Sequence, residues 1–254
     1  MSDFSAIILA AGRGSRFTAG GGATHKAIAP VRDTTPLLWT LSVLSWCGAP
    51  PVTVVVGYRA DEIRAAVLAA AYPGTVTFVD NDVWATTDSA YSFGLAMGSH
   101  PGGPVLLTYG DVLLAPPLVE RFRTECHPHS DVMALDTTRP FAAWDMRAEV
   151  SDNRLRRLGK DLPQQESAGE AACVFRFSER TARSLAARGL ATRTTVPAVQ
   201  FERMLSPLLG ELEIGLLRCG PGEWCEVDVP AEIVLAEELV DRVRASRESA
   251  GAAW

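Results

Sequence analysis

Lys26 and Lys160 are the only two lysines in a chain that carries twenty-two arginines. Such alanine- and arginine-rich usage suggests a GC-rich genome, in which lysine drifts to arginine wherever any cation serves. A lysine that persists marks a position where a compact ammonium fits and a wide, flat guanidinium does not. Lys26 closes a stretch holding Gly12, Gly14, Gly20, Gly21 and Gly22, which follows the apolar run Ala6-Ile7-Ile8-Leu9. A glycine-rich turn leaving a core strand brings backbone N–H groups close to phosphate oxygens. Arg16 lies in that turn. Asp111 and Asp228 each stand just past an apolar run, and carboxylates so placed suit a hard cation such as Mg²⁺. Taken singly, Gly110-Asp111 is an ordinary turn and Asp228 is a helix cap near Pro230. Their joint occurrence with the loop points to chemistry on phosphate, where positioning and charge neutralisation supply most of the rate.

Two familiar phosphate loops do not fit. A P-loop requires G-x-x-x-x-G-K-[ST], and no Gly-Lys pair here precedes Ser or Thr. A dinucleotide fingerprint requires G-x-G-x-x-G, and Gly12-x-Gly14-x-x-Phe17 breaks it at the third glycine.

The elements that must position these residues alternate along the first half of the chain. Strands are predicted at Ala6–Leu9, Val52–Gly57, Val76–Val79, Val105–Thr108 and Asp131–Asp136. Helices are predicted at Ala60–Ala71, Ser89–Met97 and Pro117–Thr124. Alternation of this kind argues for a doubly wound, mostly parallel α/β sheet. Beyond residue 136 the pattern loosens. A hairpin is expected from Ala143–Val150 and Leu155–Leu158 around Ser151-Asp152-Asn153. A strand follows at Ala171–Phe177, then helices at Glu179–Gly189 and Phe201–Leu209. Late strands at Leu212–Arg218 and Cys225–Val229 precede a final helix opened by Pro230.

The bulk numbers exclude some classes. A length of 254 residues with no internal repeat or long linker predicts one domain over 1–254. It divides into a nucleotide-binding half at 1–136, an acceptor half at 137–230, and a C-terminal helix and tail at 231–254. A net charge of −6 argues against broad nucleic-acid binding. No apolar run approaches eighteen residues and no basic segment precedes the N-terminal one, so neither a membrane span nor a signal peptide is expected. Cys47, Cys126, Cys173, Cys219 and Cys225 form no C-x-x-C pair, which predicts a reduced, cytoplasmic protein. His25, His100, His127 and His129 show no metal spacing with them and are read as surface residues.

The run Leu9-Ala10-Ala11-Gly12-Arg13-Gly14-Ser15-Arg16-Phe17, with Lys26 ten positions past Arg16, resembles the motif of the nucleotidylyltransferases. These enzymes join an NTP to a small phosphorylated partner. The likeness extends to TYGDVLL around Asp111 and WCEVDVPAEIVLAEEL around Asp228, the positions that carry metal ligands in that family. Thr24-His25-Lys26, the segment DNDVWATTDSAYSFGLA and the short Glu226-Val227-Asp228 ending are similar to the phosphocholine and phosphonate cytidylyltransferase branch.

The resemblance implies a Rossmann-like sheet with a small β-rich acceptor-binding insertion. It implies transfer of CMP from CTP, with Mg²⁺, to 2-aminoethylphosphonate, 2-hydroxyethylphosphonate or phosphocholine, releasing pyrophosphate. The chain would act as a monomer or homodimer. Leu9, Ala10, Ala11, Gly12, Gly14, Ser15 and Arg16 would hold the nucleotide, with Asp88 and Ser89 where the branch often has asparagine. Arg16 would grip pyrophosphate, Lys26 would bridge the α-phosphate and the incoming oxyanion, and Asp111 and Asp228 would bind the metal. Lys160, Tyr91, Trp84, Asp136 and Glu226 are the acceptor candidates, with Trp144 nearby; for Trp84 and Tyr91 a core role is the alternative. Glu226 shares Asp228's strand face and is either its partner or exposed. Transfer to a sugar 1-phosphate and a silent nucleotide-sensing subunit remain the other readings.

Overall fold

Strand β1 (Ser5–Ala10) is buried along its whole length, because it has sheet neighbours on both sides and helices over both faces. Its alternate side chains serve two cores. Ala6, Ile8 and Ala10 join one, and Ile7 and Leu9 the other, following the two-residue period of a strand. The computed structural model describes residues 4–140, 145–195 and 198–251.

The chain alternates β1, α1 (Ser15–Ala19), α2 (Pro36–Trp46), β2 (Val52–Val56), α3 (Ala60–Ala69), β3 (Val76–Asp80), α4 (Ser89–Ala96) and β4 (Val105–Tyr109). Then come β5 (Val112–Leu114), α5 (Pro116–Thr124), β6 (Asp131–Asp136), β7 (Arg147–Ser151), β8 (Arg154–Gly159) and β9 (Gly169–Phe177). The last elements are α6 (Glu179–Thr195), α7 (Phe201–Leu205), β10 (Ile214–Arg218), β11 (Trp224–Glu226) and α8 (Ile233–Ser249). Nine strands form one sheet in the order β3-β2-β1-β4-β9-β6-β10-β8-β7.

Helices cover both faces, but the sheet is mixed rather than mostly parallel. Parallel pairing joins β3, β2, β1 and β4, and again β6 and β10. Strand β9 runs antiparallel between β4 and β6, and β7 and β8 are antiparallel too. The expected hairpin is present, with Asp152 and Asn153 both at positive φ in its two-residue turn. Its strands join the main sheet, β7 pairing with β9 and β8 with β10. The start expected for it at Ala143, and Trp144, lie outside the described residues.

The late strand expected at Cys225–Val229 also lies elsewhere. Strand β11 leaves the main sheet and pairs antiparallel with β5, Glu226 opposite Val112. This short ribbon, not the main sheet, carries the second acidic segment to the first. No helix among the described residues is long and apolar enough to cross a membrane.

Candidate active site

Strand order reverses beside β1, since β2 and β4 flank it while β3 continues from β2. At such a switch point the loops leaving neighbouring strands diverge and open a crevice at their carboxyl ends. The glycine loop leaves β1 there, and Asp111 follows β4. A cleft of about 760 Å³ opens at this edge. Its lining includes Leu9, Ala10, Ala11, Gly12, Gly14, Ser15, Arg16, Asp88 and Ser89.

Gly14 sits at φ 64°, a left-handed conformation that starts α1. A Cβ there would lie 3.2 Å from the Lys26 stem, so glycine both allows the turn and leaves room for the lysine. His25, expected on the surface, is only 2% exposed. Its Nδ1 accepts the Ala27 N–H at 3.1 Å, so Nε2 carries the proton it donates to the Gly12 carbonyl at 2.8 Å. The imidazole thereby ties the two ends of the loop together. Burial holds its pKa below the ordinary histidine value.

Lys26 opens a short 3₁₀ turn, Lys26–Ile28, and its ammonium lies between the two predicted aspartates. It pairs with Asp111 and donates to Asp228 Oδ1 at 2.8 Å. Arg16 reaches the other Asp228 oxygen at 2.5 Å. Burial alone would lower the Lys26 pKa, yet Asp111 and Asp228 hold it above the ordinary lysine value. Burial opposes ionisation of Asp228 in turn, and Lys26 and Arg16 hold its carboxyl below the usual range. Glu232 fixes the turn that presents it, accepting the Asp228 N–H at 2.7 Å and the Val229 N–H at 3.0 Å.

Glu226, an acceptor candidate that the sequence also offers as Asp228's partner, lies in the acidic cluster beside Asp228. Oxygens of Asp111, Glu226 and Asp228 all lie within 4.8 Å of one another. Burial, then the adjacent Asp111 and Asp228, push Glu226 well above the usual carboxylate range. Three crowded carboxylate oxygens are the hard donor set that Mg²⁺ takes, and a divalent cation would relieve their repulsion. The residues present therefore fit such an ion, which when bound would neutralise charge on phosphate oxygens.

Of the remaining acceptor candidates, Trp84 and Lys160 line the cleft. Trp84 is held by a tilted ring contact with Tyr58, centroids 5.1 Å apart, and by Gly57, where a Cβ would lie 2.8 Å from its own. Tyr91 does not line it. The ring is buried on α4, and the hydroxyl accepts from Arg193 of α6 at 3.4 Å. Asp136 does not line it either. Its carboxylate accepts from the Thr138 N–H and hydroxyl, both at 2.7 Å, and from the Trp224 indole at 2.8 Å. It anchors β11 beside β6. Asp88 caps α4 by accepting the Ser89 N–H at 2.7 Å, and Ser89 accepts the Phe201 N–H at 2.8 Å, tying α7 to the cleft wall.

Several cleft residues escaped the sequence reading: Tyr109, Arg139, Glu170, Cys173 and Glu202. Arg139 pairs with Glu170 at 3.0 Å and stacks 4.3 Å over the Trp224 ring. Cys173 enters through an irregularity in β9, where its φ is 55° and the register against β6 shifts. Tyr109 lies within the TYGDVLL segment but without a role assigned to it, and the other four come from segments with no motif around them.

A sheet that reverses order at a glycine loop, with two cations set against an acidic cluster, defines a nucleotide-binding transferase of the α/β class. The comparisons place it further. The MobA-like NTP transferase domain is matched over residues 6–209, and the chain belongs to that family as a nucleotidyltransferase. A 64-residue segment, 25% of this chain, is 38% identical to the bifunctional protein GlmU of Pelobacter propionicus and spans 13% of that protein. Among solved structures, the inositol-1-phosphate CTP transferase from T. maritima superposes with a TM-score of 0.79 at 19% identity, covering 100% of this chain and 99% of its own. The CTP:phosphocholine cytidylyltransferase LicC from Streptococcus pneumoniae gives 0.72 at 19% identity over 94% and 99%. A putative glucose-1-phosphate thymidylyltransferase from Bacillus anthracis gives 0.72 at 14% identity over 93% and 94%. At these identities the likeness is one of fold.

Proposed function

We propose that the chain is a cytidylyltransferase, moving CMP from CTP to a small phosphonate or phosphate monoester and releasing pyrophosphate. The observation that carries the reading is the meeting of Lys26, Arg16, Asp111, Glu226 and Asp228 beneath the glycine loop. Two anions must approach each other for an acceptor oxygen to attack the α-phosphorus. Loop N–H groups around Gly12 and Gly14 would orient the triphosphate, and Arg16 would offset charge on the departing pyrophosphate. Lys26 would neutralise the attacking oxyanion and the α-phosphate together. Asp111, Glu226 and Asp228 would hold Mg²⁺.

Residues 1–136 supply the nucleotide side of this reading. Lys160, the residue that follows β8, would receive the acceptor's oxyanion from 137–230. The choice of CTP rests on the motif resemblance and on two CTP-using structural neighbours. The thymidylyltransferase neighbour favours a second reading, transfer to a sugar 1-phosphate.

One experiment separates the two readings: pyrophosphate release from each of four NTPs against 2-aminoethylphosphonate, 2-hydroxyethylphosphonate, phosphocholine and sugar 1-phosphates. CTP with one of the first three acceptors is expected to give the highest kcat/KM. A higher value for another NTP, or for a sugar 1-phosphate, overturns the proposal.

A further inference from the structure

The cleft holds one buried carboxylate that the transfer chemistry does not use. Glu202, the second residue of α7, lines the cleft and is 4% exposed. Its Oε1 accepts the Tyr109 hydroxyl at 2.6 Å. Among the described residues no cation forms an ion pair with it, and no side chain donates to Oε2. Glu170, the other buried carboxylate of the lining outside the acidic cluster, differs in having Arg139 as its partner at 3.0 Å. The Tyr109 hydroxyl and the backbone N–H of Glu202 itself are the hydrogen-bond donors to Glu202, and a carboxylate this buried favours a cation beside it. Its helix is anchored beside it, where Ser89 accepts the N–H of the neighbouring Phe201 at 2.8 Å.

Glu202 shares its cleft with the groups assigned to the acceptor's oxyanion. Lys160, the residue after β8, lines the same cleft as Glu202 and the acidic cluster. An acceptor whose oxyanion meets Lys26 therefore has Glu202 in the same cavity as a partner for its other end. Asp88, at the start of α4, is a further carboxylate of the cleft lining.

We propose that Glu202 determines acceptor specificity by pairing with a primary ammonium at the end opposite the phosphonate or phosphate. This rests on the acceptor reading given under Proposed function. A hydroxyl would satisfy the hydrogen bond but not the buried charge. A quaternary ammonium supplies charge but has no N–H to give to Oε2. It is better held by aromatic faces, and Tyr109 turns its hydroxyl toward Glu202 instead.

The test measures kcat/KM for pyrophosphate release with CTP and three probes, 2-aminoethylphosphonate, 2-hydroxyethylphosphonate and phosphocholine, in the wild type and in Glu202→Gln. The wild type should favour the aminoethyl probe over both others by at least about tenfold. Glu202→Gln should lower kcat/KM for the aminoethyl probe by about 10- to 100-fold, mostly through KM. Its effect on the hydroxyethyl probe should stay within about threefold, with the KM for CTP unchanged. A general packing defect would lower all of these together, and that outcome overturns the assignment. Equal or better use of phosphocholine or the hydroxyethyl probe by the wild type also overturns it, with no variant required. In both cases pyrophosphate release by any of the probes leaves the transfer reading standing. Absence of release with all three removes that reading and this one with it.

Discussion

Lys26 is placed where shape matters as much as charge. Its stem passes within 3.2 Å of where a Gly14 Cβ would be, and its ammonium lies between Asp111 and Asp228. A guanidinium is longer and flat, and its forked donors cannot occupy a point between two carboxylates. Lys26→Arg should therefore lower kcat by about a hundredfold or more, the scale of a misplaced catalytic contact. Steady-state rates with circular dichroism as the fold check decide this, and a silent Lys26→Arg would show that only charge is required there. Asp111→Ala and Asp228→Ala should each abolish turnover while leaving the fold intact; near-wild-type rates at low Mg²⁺ would remove both from the metal site. Lys160→Ala should raise the acceptor KM and leave that for CTP unchanged. Equal weakening of both substrates would assign Lys160 to the nucleotide side or to the scaffold.

At the scale of elements, the cleft wall depends on how closely two helices approach. A Cβ on Gly189 of α6 would lie 2.2 Å from the Ala90 carbonyl of α4, and one on Gly94 would lie 2.9 Å from the Ala186 carbonyl. Backbone meets backbone at this crossing, so no flexible side chain can yield. Gly189→Ala should force the helices apart at a cost of about 1–3 kcal/mol. Helix α4 carries Asp88 and Ser89 at its first turn, and Ser89 holds α7, so the same variant should also raise substrate KM values. Thermal melting and kinetics on one preparation test both effects, and an unchanged melting temperature would contradict the packing account. The short β5–β11 ribbon acts at the same scale. By setting Glu226 opposite Val112 it brings residues more than a hundred positions apart into one acidic cluster.

For the molecule as a whole, acid–base linkage gives a measurable consequence. Burial pushes Glu170 up to about 7 despite the opposing charge of Arg139. An acid whose pKa is raised on folding binds its proton more tightly in the native state. Stability from this group is therefore full below its unfolded value near 4.5 and falls as pH rises toward 7. Across that window the loss amounts to about 3 kcal/mol at most, reduced by whatever the Arg139 pair returns. Glu170→Gln should remove this pH dependence. Its stability relative to the wild type should rise steadily between pH 4.5 and 7 in denaturant titrations at fixed salt. A pH-independent difference between the two proteins would show that Glu170 stays ionised throughout.

The sequence by itself determined the parts whose signal is local. The strand–glycine–lysine order of residues 6–26, the alternation of elements up to residue 136, the hairpin turn at Asp152-Asn153 and the two aspartates were all readable, because each depends on neighbours within about ten positions. Only the tertiary structure decided which distant groups share the cleft. Strand β9 runs antiparallel between β4 and β6, making the sheet mixed where alternation alone predicts parallel pairing. The β5–β11 pairing sets Glu226 in the acidic cluster, while Asp136 and Tyr91 turn into the scaffold. Glu202 and Glu170 carry no motif and His25 reads as a surface residue, and their roles arise from burial and from hydrogen-bond partners that the chain reaches only when folded. Periodicity records which face of an element is apolar, but it holds no record of which element lies across from it.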